Sequence, residues 1–209
     1  MADVQHTNLT SAQCHEPKHI SSSLTSQSGM VITPSSTTAG TSELRSLTIE
    51  DIDSARPYGN YADSTYTSGS PLSIASGVRT KLTCDGLGSN TTEIDMPGGG
   101  SLWNTSTNKV TPFNEDDCYD LRVVLKANPG TTNEDVTLEL DIGGGIGVIL
   151  EETRPLLRGA ATNDLVFSWP IFCKSTFITN GGELYLTGSA TSTDVWDISI
   201  YIVRVRKGA

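Results

Sequence analysis

The sequence is poor in charge and in histidine, and both shortages exclude functions. Lys, Arg, Asp and Glu make up 18% of the 209 residues, and the three histidines, His6, His15 and His19, all lie near the N-terminus. A Ser–His–Asp or Cys–His catalytic site in the rest of the chain would have no histidine to serve as its base. The four cysteines form no CxxC pair, so the sequence indicates no zinc ribbon.

Other absences exclude partners and cofactors. The formal net charge of −10 is opposite to what neutralising nucleic-acid phosphates requires, so we predict no nucleic-acid partner. No apolar run approaches the roughly 18 residues of a membrane span, and the N-terminus lacks a secretory signal pattern, so we predict no membrane insertion. The glycines of 143–147 are followed by neither Lys-Ser/Thr nor a predicted helix, so they do not indicate a phosphate loop. We predict no cofactor and no bound metal.

The chain changes character near residue 43. Residues 1–43 are almost uncharged, rich in Ser and Thr, and sparse in apolar side chains. Such a segment cannot bury enough surface to offset the entropy of ordering it, so it should be extended or disordered unless a partner orders it. We therefore predict an extended arm over 1–43 and a globular domain over 44–209.

Beyond residue 43, apolar and polar residues alternate with the period of half-buried strands. The clearest case is 136–142. Pro170 interrupts a long extended run, which indicates a bend or an edge strand there. No segment predicts a long amphipathic helix. The short strands separated by Gly, Pro and Asn indicate an all-β fold, an antiparallel β-sandwich of jelly-roll type. The predicted strands are 44–49, 78–84, 121–126, 136–142, 146–150, 165–178, 184–186 and 195–205.

The last predicted strand is apolar on both faces. This pattern indicates a central strand, or one that a neighbouring subunit also covers. We therefore predict that this strand supplies the core of an oligomer interface. It consists of Trp196, Ile198, Ile200 and Ile202.

Two further groups offer alternative chemistry. Aromatic residues beside Gly, Asn and Ser can hold sugars or a protein surface, or can simply pack on the sandwich. The candidate glycan contacts are Tyr58, Tyr61, Tyr66 and Trp103. Acidic clusters at 50–53, 115–117 and 151–152 contain the carboxylates that a glycosidase needs, but solvated turns are the simpler interpretation.

One N-terminal segment carries a specific pattern. Residues 5–18 read QHTNLTSAQCHEPK, followed by Ser21–Ser23 and then by Gly29–Ile32. This segment resembles the N-terminal arm of tailed-bacteriophage virion proteins of the head-fibre and head-decoration type. The chain departs from that pattern at Cys14, where Leu is usual, and at His19, where Gly is usual. The matched positions are His6, Asn8, Leu9, Thr10, His15, Glu16, Pro17 and Lys18.

The resemblance implies a virion structural protein that is not an enzyme. Its arm would bind the major capsid protein or another virion structural protein, and a trimeric jelly-roll-like domain would project outward. The implied particle-docking residues are His6, Asn8, Leu9, His15, Glu16, Pro17 and Lys18. The implied location is the virion, after synthesis in the host cytoplasm. The alternatives are a tail-associated component that binds a receptor or host surface glycan, and a glycan-degrading enzyme with two converging carboxylates.

Overall fold

The computed structural model describes residues 34–38, 41–44, 56–130, 134–157, 161–189 and 192–208. The chain separates into two compact units, Met1–Ser54 and Ala55–Ala209. In the first unit, β1 (Pro34–Thr38) and β2 (Thr41–Leu44) pair as an antiparallel hairpin. The predicted boundary after residue 43, and the predicted extended or disordered state of the arm, stay predictions.

The second unit consists almost entirely of strands. Its described elements are β3 (Tyr58–Ala62), β4 (Leu72–Ile74), β5 (Thr80–Lys81), β6 (Thr92–Ile94), β7 (Trp103–Asn104), β8 (Lys109–Val110), β9 (Cys118–Pro129), β10 (Asp135–Asp141), β11 (Val148–Pro155), β12 (Asn163–Phe172), α1 (Ser175–Asn180), β13 (Glu183–Gly188) and β14 (Thr193–Arg206), with a short 3-10 turn at Pro97–Gly99.

The strand order is that of a jelly roll. One antiparallel sheet runs β12-β9-β14-β3-β6, with β4 also pairing with β14, and the other runs β11-β10-β13-β5. Counting β3, β5 and β9 to β14 as eight successive strands, the first sheet has the order 6-3-8-1 and the second has 5-4-7-2. Consecutive strands therefore cross repeatedly between the sheets, as in two interlocked Greek keys. The predicted fold class is confirmed.

The core lies between the two sheets because the strands alternate as predicted. On β10, Val136, Leu138 and Leu140 are fully buried, and the residues between them are only partly buried. Each such side chain contributes roughly 1.5–3 kcal/mol when it is removed from water. The predicted hairpin of β10 with β11 forms around the 143–147 glycines, four of which have positive φ. Glycine populates that region without steric cost.

The predicted strand over 165–178 is wrong in its second half. The paired strand β12 ends at Phe172, and α1 follows it. Gly181, with φ of 70°, ends the helix and donates its N–H to the carbonyl oxygen of Phe177 at 2.8 Å. Phe177 and Ile178 favour strands locally, but the burial of Phe177 in the core holds a helical turn instead. Pro170 does lie on an edge strand, as predicted.

The C-terminal strand β14 is central, between β9 and β3, as its apolar faces predicted. The alternation, however, breaks at a β-bulge between Trp196 and Ser199, where Asp197 has φ of 51°. Trp196 pairs with the outward-facing Lys126 and lies outside the core cluster that contains Ile198. A bulge adds one residue to a strand and changes which face the preceding side chains occupy. The prediction that Trp196 shares a face with the three isoleucines is therefore wrong.

Candidate interaction surface

The predicted docking residues lie in the first unit, outside the residues that the structure describes. They are His6, Asn8, Leu9, His15, Glu16, Pro17 and Lys18. Their role in binding a particle therefore stays a prediction.

The predicted oligomer interface is contradicted by burial. Ile198, Ile200 and Ile202 are at most 1% exposed within a single chain, because they fill the space between the sheets. Trp196, on the other side of the sheet, is also buried. A side chain that is buried within its own subunit has no surface left for another subunit to cover. If β14 takes part in an interface, it does so through its other face.

The predicted aromatic glycan platform is also contradicted in part. Tyr61 is 2% exposed and Trp103 is 1% exposed, so neither ring presents a face on which a sugar can stack. The indole N–H of Trp103 instead donates to the carbonyl oxygen of Cys84 at 3.0 Å. Tyr58 and Tyr66 are half-buried. Tyr61 and Trp103 instead pack in the core, which is the alternative that the sequence left open.

A polar network surrounds the Tyr61 hydroxyl. This hydroxyl donates to Glu93 Oε1 at 2.6 Å and accepts the backbone N–H of Leu102 at 2.9 Å. Ser101 Oγ lies 2.6 Å from the same Glu93 oxygen. Burial, followed by the hydrogen bond to Glu93, raises the pKa of Tyr61 to about 12. The network therefore keeps the Tyr61 proton on its oxygen and holds the Glu93 carboxylate at a fixed position.

This network forms one wall of an open cleft of about 530 Å³. The cleft volume falls within the range that binds small molecules. Its lining residues are Tyr61, Gly86, Thr91, Glu93, Ser101, Trp103, Asn104, Thr105 and Thr111. The hydroxyl, amide and carboxylate groups suit a ligand that is rich in hydroxyl groups, held by hydrogen bonds at its edges.

The outward face of the four-stranded sheet is covered by ion pairs. Arg79 contacts Glu139 at 2.5 Å and Asp141 at 2.7 Å, and its guanidinium lies 3.7 Å from the centre of the Tyr185 ring. Glu183 accepts from Lys81 at 2.8 Å. Hydrogen bonds from Lys81 and then from Tyr185 lower the pKa of Glu183 to about 2. This outward face therefore carries paired charges of both signs.

The outward face of the six-stranded sheet differs between its two ends. At one end, Asn60, Ala62 and Trp196 are buried although they point away from the core. Part of this cover comes from the loop before β6, since Asn60 Nδ2 donates to the carbonyl oxygen of Asn90 at 2.8 Å and Thr91 bonds to Ala62. The chain thus shields this end of the face with its own loops.

The other end of that face is apolar and open. One row across the sheet places Pro170, Asp120, Val203, Tyr58 and Ile94 side by side on five neighbouring strands. Phe172 and Val205 lie two residues further along β12 and β14, on the same face, and Phe172 pairs with Cys118. Phe172 is 51% exposed, Ile94 49% and Val205 47%. We call the set Tyr58, Ile94, Pro170, Phe172, Val203 and Val205 the apolar patch.

A buried cluster of polar and charged groups surrounds Asp117, just before β9, and the sequence did not predict it. Asp117 is fully buried; it accepts the Tyr119 hydroxyl at 2.7 Å and the backbone N–H of Gly208 at 2.6 Å. The guanidinium of Arg204, 4% exposed, lies 3.7 Å from the same carboxylate. Desolvation raises the pKa of Tyr119 above its ordinary value. Asp117 therefore ties the C-terminal end of the chain to the start of β9, although the run 115–117 resembled a solvated turn.

Neither a membrane-spanning helix nor a metal-binding cluster occurs among the described residues. None of the helices in this part of the chain has the length and apolar character of a membrane span. The same ranges contain no cluster of three or more His, Cys, Asp or Glu side chains arranged to hold a metal ion.

No known family model matches the sequence, and no curated protein matches it. Among solved structures the chain is similar to the PRD1 vertex protein P5, with TM-score 0.45 and 15% identity over 73% of this chain and 97% of that one. It is also similar to Eiger TNF from S. frugiperda, with TM-score 0.46 and 10% identity over 74% of this chain and 96% of that one. A third similarity is to infectious bursal disease virus, Gx strain, with TM-score 0.35 and 12% identity over 83% of this chain and 38% of that one. The jelly-roll assignment itself comes from the strand order.

Proposed function

We propose that the protein is a structural component of a virus particle of the tailed-bacteriophage type, in the role of head decoration or head fibre. Residues 1–43 bind the major capsid protein or another virion protein, and the jelly roll is displayed outward as a homotrimer. The observation that carries the proposal is the His15–Lys18 block, with His6, Asn8 and Leu9 before it, ahead of a jelly-roll domain. The protein acts by binding, not by catalysis.

The physics of the arm supports docking. An extended polar segment has unpaired backbone groups that can add to a strand edge or groove on a partner. Pro17 restricts its own φ and biases Glu16 toward extended backbone. Leu9 supplies an apolar anchor, while Glu16 and Lys18 set the register through charge. Many copies on one particle supply avidity, so a single arm can bind weakly.

The direct test removes the arm from the full protein. Deleting residues 1–20 should leave a folded oligomer that no longer joins the particle, measured as copies per purified virion. A finer pair compares the triple variant His15→Ala, Glu16→Ala, Lys18→Ala with a matched triple at Ser21, Ser22 and Ser23, also to Ala. The first triple should lose incorporation and the second should keep it. Normal occupancy of the deletion variant would refute the docking role.

A second candidate function is the binding of a receptor or host glycan, and the polar cleft beside Glu93 favours it. A ligand there would be held by hydrogen bonds to the cleft edges, since the Tyr61 and Trp103 rings are buried. Binding of the full chain to an array of surface glycans tests this candidate. The variant Glu93→Gln should reduce a genuine signal, and Glu151→Gln, exposed on the other sheet, should not.

A further inference from the structure

We propose that the apolar patch is the surface through which one copy of this chain packs against another. The inference rests on the proposed function, because it names the contact by which the displayed domain forms an oligomer. It replaces the interface predicted at Trp196, Ile198, Ile200 and Ile202, which are buried within one chain.

The patch is contiguous across β14, β3 and β6, whereas Asp120 lies between Val203 and Pro170 in the same row. Val203 pairs with Tyr58, and Tyr58 in turn pairs with Ile94, so these three side chains are direct cross-strand neighbours. Directly opposed residues have Cβ atoms about 4.5–5.5 Å apart. Exposed clusters of this kind mark interaction sites in soluble proteins, whereas single exposed apolar residues do not.

The chain covers one end of this face and leaves the other open. Asn60 and Ala62 lie on the same strand as Tyr58 and are buried, in part by hydrogen-bonded loop residues 90 and 91. In the patch, Phe172 keeps 51% of its surface exposed, although the Lys174 ammonium lies 4.8 Å from its ring centre. The open end is therefore a specific feature of this face.

The open face extends beyond the patch along β12, where Val166 is 48% exposed, whereas on β3 the chain covers Asn60 and Ala62. The contact that we propose is the patch itself, at the end of the face that the chain leaves open.

Charge favours a second copy as the occupant. On the outward face of the four-stranded sheet, acidic side chains outnumber the basic side chains Arg79, Lys81 and Lys109 that pair with three of them. The acidic side chains are Asp135, Glu139, Asp141, Glu151 and Glu183. Two such faces would repel each other in a chain whose net charge is −10. On the six-stranded sheet, acidic and basic side chains are paired locally, Asp120 with Arg122 at 3.1 Å and Lys126 with Asp197 at 2.9 Å. Two copies can approach there without accumulating charge of one sign.

The patch also reaches the edge of its sheet. Phe172 and Pro170 belong to β12, which is the last strand of the six-stranded order. A face that packs against the edge of the next copy generates a closed ring, whereas a face that packs on its own equivalent generates a two-fold dimer. In a trimeric ring, the face of one copy would contact the edge of the next. The patch includes both, since it runs from the face to the edge strand β12.

The first experiment measures mass in solution by light scattering on the full chain. The patch variant Phe172→Lys, Val203→Lys is compared with a matched pair on the other sheet, Thr137→Lys, Thr153→Lys, with circular dichroism to confirm folding. Wild type and the control pair should have a mass several times that of the chain, and the patch variant should have the mass of one chain. A single-chain mass for wild type, or an unchanged mass for a folded patch variant, would overturn the proposal.

The second experiment needs no change in the patch. Cys118 is half-buried and pairs directly with Phe172, whereas Cys84 and Cys173 are buried. Desolvation raises the pKa of both buried thiols to about 12, so their thiolates are scarce at neutral pH. In a Cys14→Ser background, a thiol reagent should modify Cys118 severalfold faster when the protein is diluted enough to dissociate. A rate that is independent of protein concentration across the change in mass would overturn the proposal.

The two proposals fail separately. If the patch variant is a folded single chain while the arm-deletion variant still joins the particle, the patch inference stands and the docking role fails. If the arm deletion abolishes incorporation while the patch variant keeps its mass, the docking role stands and the patch inference fails.

Discussion

The two outward faces of the sandwich both belong to antiparallel sheets, but they differ in the side chains that they carry. On the four-stranded sheet, Arg79 bridges Glu139 and Asp141, and Lys81 pairs with Glu183. On the six-stranded sheet, the corresponding positions near one end carry Phe172 and Val203. Water hydrates the charged side chains of an ion-paired face well. Removing a cluster of apolar side chains from water is instead favourable, so a partner that covers them is stabilised.

The difference shows which part of each strand is constrained by folding. The inward positions of both sheets are apolar because they share one core, so they say nothing about partners. The outward positions contribute little to that core and are free to differ. Function is therefore encoded mainly in the half of each strand that the fold itself does not need.

The comparison is sharpest along β12, where inward and outward residues alternate. Phe167 is fully buried and its neighbour Val166 is 48% exposed. Phe167→Ala should lower the free energy of unfolding by about 3–5 kcal/mol, because it removes contacts and leaves a cavity. Val166→Ala should change it by about 0.5 kcal/mol or less. Urea unfolding at one fixed protein concentration measures both, and similar losses would mean that the two faces are not distinct.

A second contrast is between a buried ion pair, Asp117 with Arg204, and an exposed ion pair, Glu139 with Arg79. Asp117→Asn disturbs a buried ion pair with Arg204, and we expect a loss of about 3 kcal/mol or more, as for other buried pairs broken on one side. Glu139→Gln removes an exposed contact with Arg79 and should cost about 1 kcal/mol or less. Thermal unfolding of both variants gives the order, and a larger loss for Glu139→Gln would reverse it.

Acid should act on the ion-paired face. The pKa of Glu183 is lowered from 4.5 to about 2 in the folded chain, so the unfolded chain takes up the proton first. The stability from this carboxylate is fully present above pH 4.5 and is lost as the pH falls toward 2. In Glu183→Gln, the fall in unfolding midpoint across that window should be shallower than in wild type. The variant Glu151→Gln is the control, and an identical slope in all three proteins would contradict the assignment.

Salt provides the smallest expected effect and separates the two faces directly. Arg79→Met should lower the free energy of unfolding by about 1 kcal/mol at low salt, and the difference from wild type should shrink at 1 M salt, where the Debye length is about 3 Å. The mass of the wild-type oligomer should persist at the same salt concentration, since apolar contacts are not screened. Dissociation of the oligomer by salt would indicate that charge holds the copies together.

Local patterns predicted the strands well where packing and periodicity agree. Residues 121–126 and 195–205 fall within observed strands, and 136–142 extends one residue past β10, which ends at Asp141. A regular division of side chains between two faces is possible only on a pleated surface. The helix at 175–180 was missed because its β-branched and aromatic residues favour strands, and only the pocket for Phe177 selects the helical turn. The pairing around 80–81 is shorter than the alternation over 78–84 predicted, although Leu82 and Cys84 are both buried.

The candidate surface was predictable only in part. The sequence showed that β14 is apolar on both sides, but it assigned the wrong side to a partner. The bulge at Asp197 moves Trp196 to the outward face, and no composition signal announces a bulge that lacks glycine. The apolar patch combines residues from four strands that lie far apart in the chain, so no sequence window contains it. The buried Asp117 was hidden in the same way, since its partners Arg204 and Gly208 are supplied by the other end of the domain.

By itself, the sequence determined the all-β class and the location of most strands. These are local properties, set by side-chain period and turn residues. The tertiary structure alone decided which strands are neighbours, which of two apolar faces lies inside, and where polar and apolar side chains meet on the surface. Alternation divides a strand into two faces, but only pairing with distant strands assigns one face to the core and leaves the other for a partner.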